Sequence, residues 1–402
     1  MYGSLEDLIG EDKLKEITTD TINGIPVLEN GQVVLKSKDP LDEESNIESD
    51  GFNDSDEYLS EFLQLLKTRT VIIGVGGAGN NAITRLQESG VTGAITIAVN
   101  TDAQDLYYAN ADQKILIGKE VTGGLGSGNN PRIGEKSAES DLERIRQITR
   151  KNIVFITCGM GGGTGTGASP IIAREAQKAG ALVVSFCTLP FKMEGAEKET
   201  IANEGLLRLA KYSDTIIPLP NEKLIKLVPN LTLMKGFKIM DEILIGSVRG
   251  IVDLVSNCGL VNLDLADVKN ILKRCNETSG YIGKSEINID DIAKDGNTTS
   301  SPLIKEIIRE KTLKALHNPI LEMDPSEISS CLVSITGNQY LSLNQVNEIV
   351  STVSENIQSN AKLKFGAMID PNSEKIHINI IGQGPISPYV SNAERKHKEM
   401  IF

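Results

Sequence analysis

Four short apolar runs, mostly β-branched, each end in a glycine or polar turn and lead into a helical pattern, and this alternation restricts the possible folds of the chain more than any other feature. Val71-Ile72-Ile73 feeds Gly74, Ile95 to Val99 ends at Asn100-Thr101-Asp102, Ile153 to Thr157 ends at Gly159, and Ala181 to Phe186 ends near Pro190. Strands that are apolar on both faces and alternate with amphipathic helices fit a parallel sheet covered by helices on both sides. In such a sheet a ligand sits beyond the carboxyl ends of the strands, where these turns meet, so a single site is expected there.

The turns themselves name the ligand chemistry. Gly159-Met-Gly-Gly-Gly-Thr-Gly-Thr-Gly167 follows a buried strand and precedes a plausible helix start at Ala168, with Pro170 in its first turn. Glycines remove the Cβ atoms that would block phosphate oxygens, and the helix N-terminus adds free N–H donors and partial positive charge. Thr164 and Thr166 add hydroxyls. Gly74-Val-Gly-Gly-Ala-Gly-Asn80 satisfies the G-x-G-x-x-G spacing after a strand, with Asp102 where a ribose-binding acid would lie, which alone would suggest an NAD-dependent oxidoreductase. That chemistry needs one pyrophosphate turn, whereas this chain has a third glycine loop, Gly123-Gly-Leu-Gly-Ser-Gly-Asn-Asn-Pro131. Three loops imply more phosphates. Neither a G-x-x-x-x-G-K-[ST] loop nor a kinase-type catalytic segment is present.

The rest of the 402 residues sets the frame. Residues 1–65 are acidic and broken, and read as a disordered arm. Met234 to Leu254 has apolar residues at helical spacing and no proline, which predicts one long connecting helix. A helix follows Asp267, then a polar loop, Ile287 to Pro302, and Cys331 to Ile335, Ala361 to Phe365 and Ile376 to Ile380 read as strands of a smaller α/β unit. From Pro385 to Phe402 a polar, flexible tail is expected. A net charge of −13 argues against nucleic acid as a partner. Five scattered cysteines suit a reducing compartment, and three histidines show no metal-ligand spacing, so no protein-held metal is expected. No apolar run is long enough to insert in a membrane, and the N-terminus lacks a secretory pattern, which points to the cytoplasm.

Gly161-Gly-Gly-Thr-Gly-Thr-Gly167 after a strand resembles the signature loop of the tubulin/FtsZ superfamily of GTPases. Gly74 to Asn81, Asn100 to Gln104, the loop ending in Asn130-Pro131, Met193-Glu194-Gly195, Pro220 to Lys223 and Gly259 to Asp267 resemble further FtsZ motifs, in FtsZ order. The resemblance is close from Val71 to Lys269, looser to about Gly382, and nearer in wording to archaeal than to bacterial members. It implies an α/β, tubulin/FtsZ-like fold: a parallel-sheet GTP-binding domain over 66–235, a central helix over 236–258 and a GTPase-activating α/β domain over 259–384.

The same resemblance implies GTP and GDP as ligands, with Mg²⁺ bound alongside the nucleotide. The phosphates would rest on Gly76, Gly77, Gly126, Ser127, Gly128, Gly163, Thr164, Gly165, Thr166 and Gly167, and the ribose on Glu194. The Asp241 carboxylate would accept from the guanine N1–H and 2-amino group, with Phe237 one turn earlier as a stacking face. Asn80, Asn100, Asp102 and Asn221 would complete the pocket. Phe237 as plain core and Asp241 as a solvated helix charge are the alternatives. Lys198 stands where arginine is usual in the family, and a lysine lacks the bidentate fork, so weaker phosphate contact and slower turnover are expected.

Asn262, Asp264 and Asp267 lie in the loop that, in the family's polymers, enters the next subunit's nucleotide site, which implies catalysis shared across a head-to-tail homopolymer. Asp264 can equally be a helix N-cap with Asp267 as its third-position acid, and the two roles are compatible. The implied function is a GTPase that scaffolds the cell-division ring at mid-cell, with membrane-anchor or other division proteins as partners. A slowly turning structural filament outside division is the second reading, motivated by Lys198 and by Arg274 to Tyr281 in place of a glycine-rich segment.

Overall fold

The computed structural model describes residues 70–228, 232–256, 261, 263–273, 279–289, 302–321 and 323–401. The expected acidic arm, Asn262 and most of the polar loop after Ile289 lie outside the described residues.

Six strands form the first sheet: β1 (Thr70–Val75), β2 (Ile95–Asn100), β3 (Gln113–Leu116), β4 (Ile153–Gly159), β5 (Leu182–Leu189) and β6 (Thr215–Pro220). They are all parallel, in the order β3-β2-β1-β4-β5-β6. β1 and β4 are buried along almost their whole length, as a strand covered on both faces must be. The order reverses between β1 and β4, so the turns leaving these two strands diverge to opposite faces and open a crevice between them. Into that crevice run α1 (Gly76–Glu88) from β1 and α6 (Gly163–Lys178) from β4. Between them in sequence come α2 (Ala103–Tyr108), α3 (Lys119–Thr122), α4 (Pro131–Ser140) and α5 (Leu142–Thr149).

α6 begins five residues earlier than the sequence suggested, at Gly163 rather than Ala168, so Pro170 lies two turns inside it. Half of the glycine run is therefore helix. Those glycines permit close packing. A Cβ on Gly165 would stand 2.5 Å from the Gly159 carbonyl oxygen, and one on Gly167 would collide with the Pro131 carbonyl of α4.

After β5 come α7 (Ala196–Tyr212), β6 and α8 (Glu222–Leu227), and then the long helix α9 (Leu233–Ser256). α9 buries Met240, Ile243, Leu244, Val248 and Ile251 of the stripe its spacing predicted, and Ile239 beside them, while Phe237 of that stripe is exposed. One apolar cluster runs from Phe155 and Val184 of the first sheet through α9 to Leu332 and Ile378 of the second. That second sheet contains β7 (Ser279–Asn288), β8 (Ser330–Gly337), β9 (Lys362–Ile369) and β10 (Lys375–Gly384) in the order β7-β10-β8-β9, with α10 (Leu265–Leu272), α11 (Pro302–Leu316) and α12 (Leu343–Asn356) around it. β7 was not foreseen, and it places Tyr281 in the core with its hydroxyl donating to the Ala315 and Leu316 carbonyls.

The flexible tail expected from residue 385 needs correction. Pro388–Ile401 is a helix, α13, that buries Val390 and Ala393 against the first unit. Lys396 of α13 reaches Glu199 of α7 at 2.5 Å. Val390 and Ala393, with Tyr389 beside them and no further apolar residue before Met400, were too thin a stripe to announce a helix.

Candidate functional site

Helix starts build the site. α1 follows β1 with no intervening loop, because Gly76 at φ +72° makes the turn by itself. A Cβ on Gly76 would stand 2.9 Å from the Gly165 backbone nitrogen, so the first turns of α1 and α6 touch. Neither helix has a side-chain cap, although α2, α4, α10 and α12 are capped by Asp102, Asn130, Asp264 and Ser342. Two sets of unpaired N–H groups and two helix dipoles thus converge on one space, a setting that favours a multiply charged anion.

That space is a cleft of about 580 Å³ at the carboxyl ends of the strands. Gly76, Gly77, Gly126, Ser127, Gly128, Gly163, Thr164 and Gly165 line it, as do Asn100 and Asp102. Thr164 ties its own loop to the turn after β2 and to the loop at Ser127, its hydroxyl 2.6 Å from that of Thr101 and 3.0 Å from that of Ser127. Asn100 is held from both sides, its amide donating to Asp105 at 2.6 Å and its oxygen accepting from the Thr101 nitrogen at 2.8 Å. Asp102 accepts from the Gln104 and Asp105 nitrogens, both through Oδ1, and so caps α2 at the wall of the cleft. Thr166 and Gly167 do not line the cleft. Thr166 is buried behind the loop and accepts from the Gly161 nitrogen at 2.9 Å, and Gly167 packs on α4.

Glu194, Lys198, Asn221 and Phe237 line the opposite wall. The Lys198 ammonium donates to Glu194 at 2.7 Å, one helical turn away, and Glu194 also accepts from the Phe191 nitrogen at 2.8 Å. Asn221 is buried with its side-chain oxygen unpartnered. Phe237 is 39% exposed and meets Phe191 edge-on at 5.8 Å, which rules out a plain core role.

Beyond Phe237 lies a second cavity of about 610 Å³, with Met234, Met240, Leu244 and Asp241 in its walls. Gly77, Ala78, Thr188 and Phe237 border both cavities, so the two form one continuous depression. Asp241 is no solvated charge: its side chain is 13% exposed and pairs with Arg85 of α1. Burial pushes its carboxyl up to about 7, while the Arg85 cation pulls the other way. Asn80 lines neither cavity but is buried in the first turn of α1, with both amide atoms unpartnered.

Asp264 and Asp267 also line neither cavity. Asp264 caps α10, its carboxylate accepting from the Asp267 nitrogen at 2.6 Å, so the capping alternative holds for this residue. The Asp267 carboxylate does not reach back to the cap and instead meets Lys364 of β9 at 3.2 Å. Among the described residues no cluster of acidic, histidine or cysteine side chains could hold a metal. Sequence reasoning missed Arg85, Thr188, Asn129 and Lys364. Arg85 alone left a signal, four residues after Asn81 on a helix that grows from the first glycine loop.

Known proteins resemble the chain throughout this region. A family model described as the GTPase domain of the tubulin/FtsZ family matches residues 69–229, and one described as the C-terminal domain of the FtsZ family matches residues 301–384. "Cell division protein FtsZ 1" of Methanocaldococcus jannaschii is 43% identical over 343 residues, covering 84% of this chain and 89% of that protein. The protein of the same name from Pyrococcus woesei is 43% identical over 341 residues, covering 84% and 88%. A solved FtsZ dimer from M. jannaschii superposes with a TM-score of 0.71 at 42% identity, covering 83% of this chain and 93% of that one.

Proposed function

The chain belongs to the tubulin/FtsZ family of GTPases, and from that premise we propose a GTP-hydrolysing protein that polymerises head to tail and scaffolds the cell-division ring. One observation carries the nucleotide reading: two uncapped helix N-termini meet at a cleft that continues, past Phe237, into a cavity holding a buried carboxylate. The cleft suits a polyphosphate, and the cavity suits a flat base with two adjacent donors.

In this reading the phosphates lie on the backbone of Gly76, Gly77, Gly126 to Gly128 and Gly163 to Gly165, with Thr164 and Ser127 as hydroxyl donors. The remaining loop residues, Thr166 and Gly167, hold α6 in place. Glu194 takes the ribose, Lys198 lends charge to the phosphate side, and Phe237 stacks on the guanine while Asp241 accepts its N1–H and 2-amino protons. Asn80, Asn100, Asp102 and Asn221 support the walls, and the unpartnered Asn221 oxygen is a ready acceptor. Mg²⁺ fits as an ion that arrives with the nucleotide, since such an ion keeps phosphate and water oxygens as ligands, and it would neutralise charge on the β- and γ-phosphates.

Hydrolysis is completed at the junction between subunits. Asn262, Asp264 and Asp267 of one subunit orient the attacking water at the γ-phosphate held by the next, while the backbone amides of the receiving cleft stabilise the developing charge. Among the described residues of this loop none lines the cleft of a lone subunit, in keeping with such a division of labour. Division proteins or a membrane anchor, docking near the C-terminus, are the further partners of this reading, and mid-cell is its location.

The test is hydrolysis rate per subunit against protein concentration, with sedimentation of filaments. The rate should rise steeply as filaments form, and a rate independent of concentration would remove the shared site. Asp267→Ala should lower turnover by about 100-fold or more and leave binding of GTP by isolated subunits unchanged. Equal loss of binding would place the residue in its own cleft instead.

A further inference from the structure

The loop that carries Asp264 and Asp267 is fastened to β9 at two points. Val261 and Ala367 exchange backbone hydrogen bonds, both 3.2 Å, which pins the entry of the loop to the edge strand of the second sheet. At its exit, in the first turn of α10, the Asp267 carboxylate meets the Lys364 ammonium at 3.2 Å. The two aspartates are therefore occupied differently. Asp264 accepts from the Asp267 nitrogen as helix cap, whereas the Asp267 side chain leaves the helix and is held by a cation from another element.

Fold stability does not explain this pair, because the lysine is 52% exposed and the aspartate 29%, and exposed ion pairs add little. Deterring edge-to-edge strand pairing does not explain it either. Lys362, two residues along and on the same face of β9, serves that end without an acidic partner among the described residues. What the pair fixes is the direction of one carboxylate, and it does so before any neighbour arrives.

Resting on the junction mechanism above, we propose that Lys364 is a positioning residue for hydrolysis, holding the Asp267 carboxylate in the orientation in which it enters the neighbouring subunit's cleft. A carboxylate already paired with a cation of its own subunit need not be ordered again when the junction forms, so loss of that cation should appear in turnover and not in nucleotide affinity.

The test compares Lys364→Met, Lys364→Arg and Asp267→Ala with the parent chain, measuring GTP turnover per sedimented subunit, KM for GTP and equilibrium binding of a fluorescent GTP analogue. Lys364→Met should lower kcat roughly tenfold with KM and binding unchanged, and Lys364→Arg should restore most of that loss. Parent-like turnover in Lys364→Met beside an inactive Asp267→Ala would overturn the proposal while leaving the junction mechanism intact. An active Asp267→Ala would instead overturn the mechanism itself. Loss of filaments in both Lys364 variants would also overturn the proposal, by making the residue part of the subunit contact.

Discussion

Asp241 combines two demands on one carboxyl: it must be ionised to accept two donors from a base, yet it lies in a largely apolar wall. Burial raises its pKa to about 7 against the pull of Arg85, so the ionised fraction falls as pH drops through that value. Affinity for GTP in isolated subunits should therefore weaken roughly tenfold between about pH 8 and about pH 6, as a fluorescent-nucleotide titration would show. Asp241→Asn should bind roughly 100-fold more weakly and lose that pH dependence; a sloping profile in the variant would assign the proton elsewhere. The family resemblance singled out Asp241 and Phe237 but not Arg85, whose role arises from the approach of α1 to α9. Thr166 misled for a related reason. In a run of glycines and threonines, only the start of the helix decides which hydroxyl faces the cleft, and the helix starts five residues earlier than its pattern suggested.

Elements around the cleft are locked by contacts far from the nucleotide. Glu175 of α6 is almost fully buried and meets Arg146 of α5 at 2.9 Å, Arg174 at 3.0 Å and Lys178 at 2.9 Å. Burial opposes its ionisation, but Lys178, Arg146 and Arg174 together overcome it and hold the carboxyl down at about 2. A lowered carboxyl contributes stability that is complete above the ordinary value of about 4.3 and is lost as pH falls towards about 2. Glu175→Gln should cost about 1–3 kcal/mol at neutral pH and flatten the acid limb of a urea-midpoint profile, and an unchanged limb would acquit the cluster. Gly167→Ala should be harsher for function, since its methyl would meet the Pro131 carbonyl and part α4 from α6; about 1–3 kcal/mol of stability is at stake, read by urea unfolding, with weaker GTP binding beside it. Strands β1, β2, β4 and β5 were legible because they are long, apolar runs ending in turns. β3 was hidden by exposed Gln113 and Lys114, and β6 by Pro218 and Pro220, which an edge strand tolerates. β7 was hidden by the serines and glycines that let it lie close to α11 and β6.

At the scale of the whole molecule, α9 and one continuous apolar cluster join the two sheets, and α13 joins them a second time. The chain leaves the first sheet through α9, builds the second, and returns through β10 to rest on α7. Val390→Asp should free that last helix by burying a charge beneath it, lowering the Tm by roughly 2–4 °C and admitting trypsin at Lys396 and Lys398 long before the body is cut. A variant as resistant as the parent would mean that α13 adds nothing to the join. This return was the least legible part of the fold, because its apolar contacts are few and its partner lies almost 200 residues earlier in the chain. The mechanical consequence follows from the path. In a filament under tension, load passing from the first sheet to the second is shared among α9, the α13–α7 clasp and the direct contact of β6 with β7 and β10, so no one route carries the whole pull.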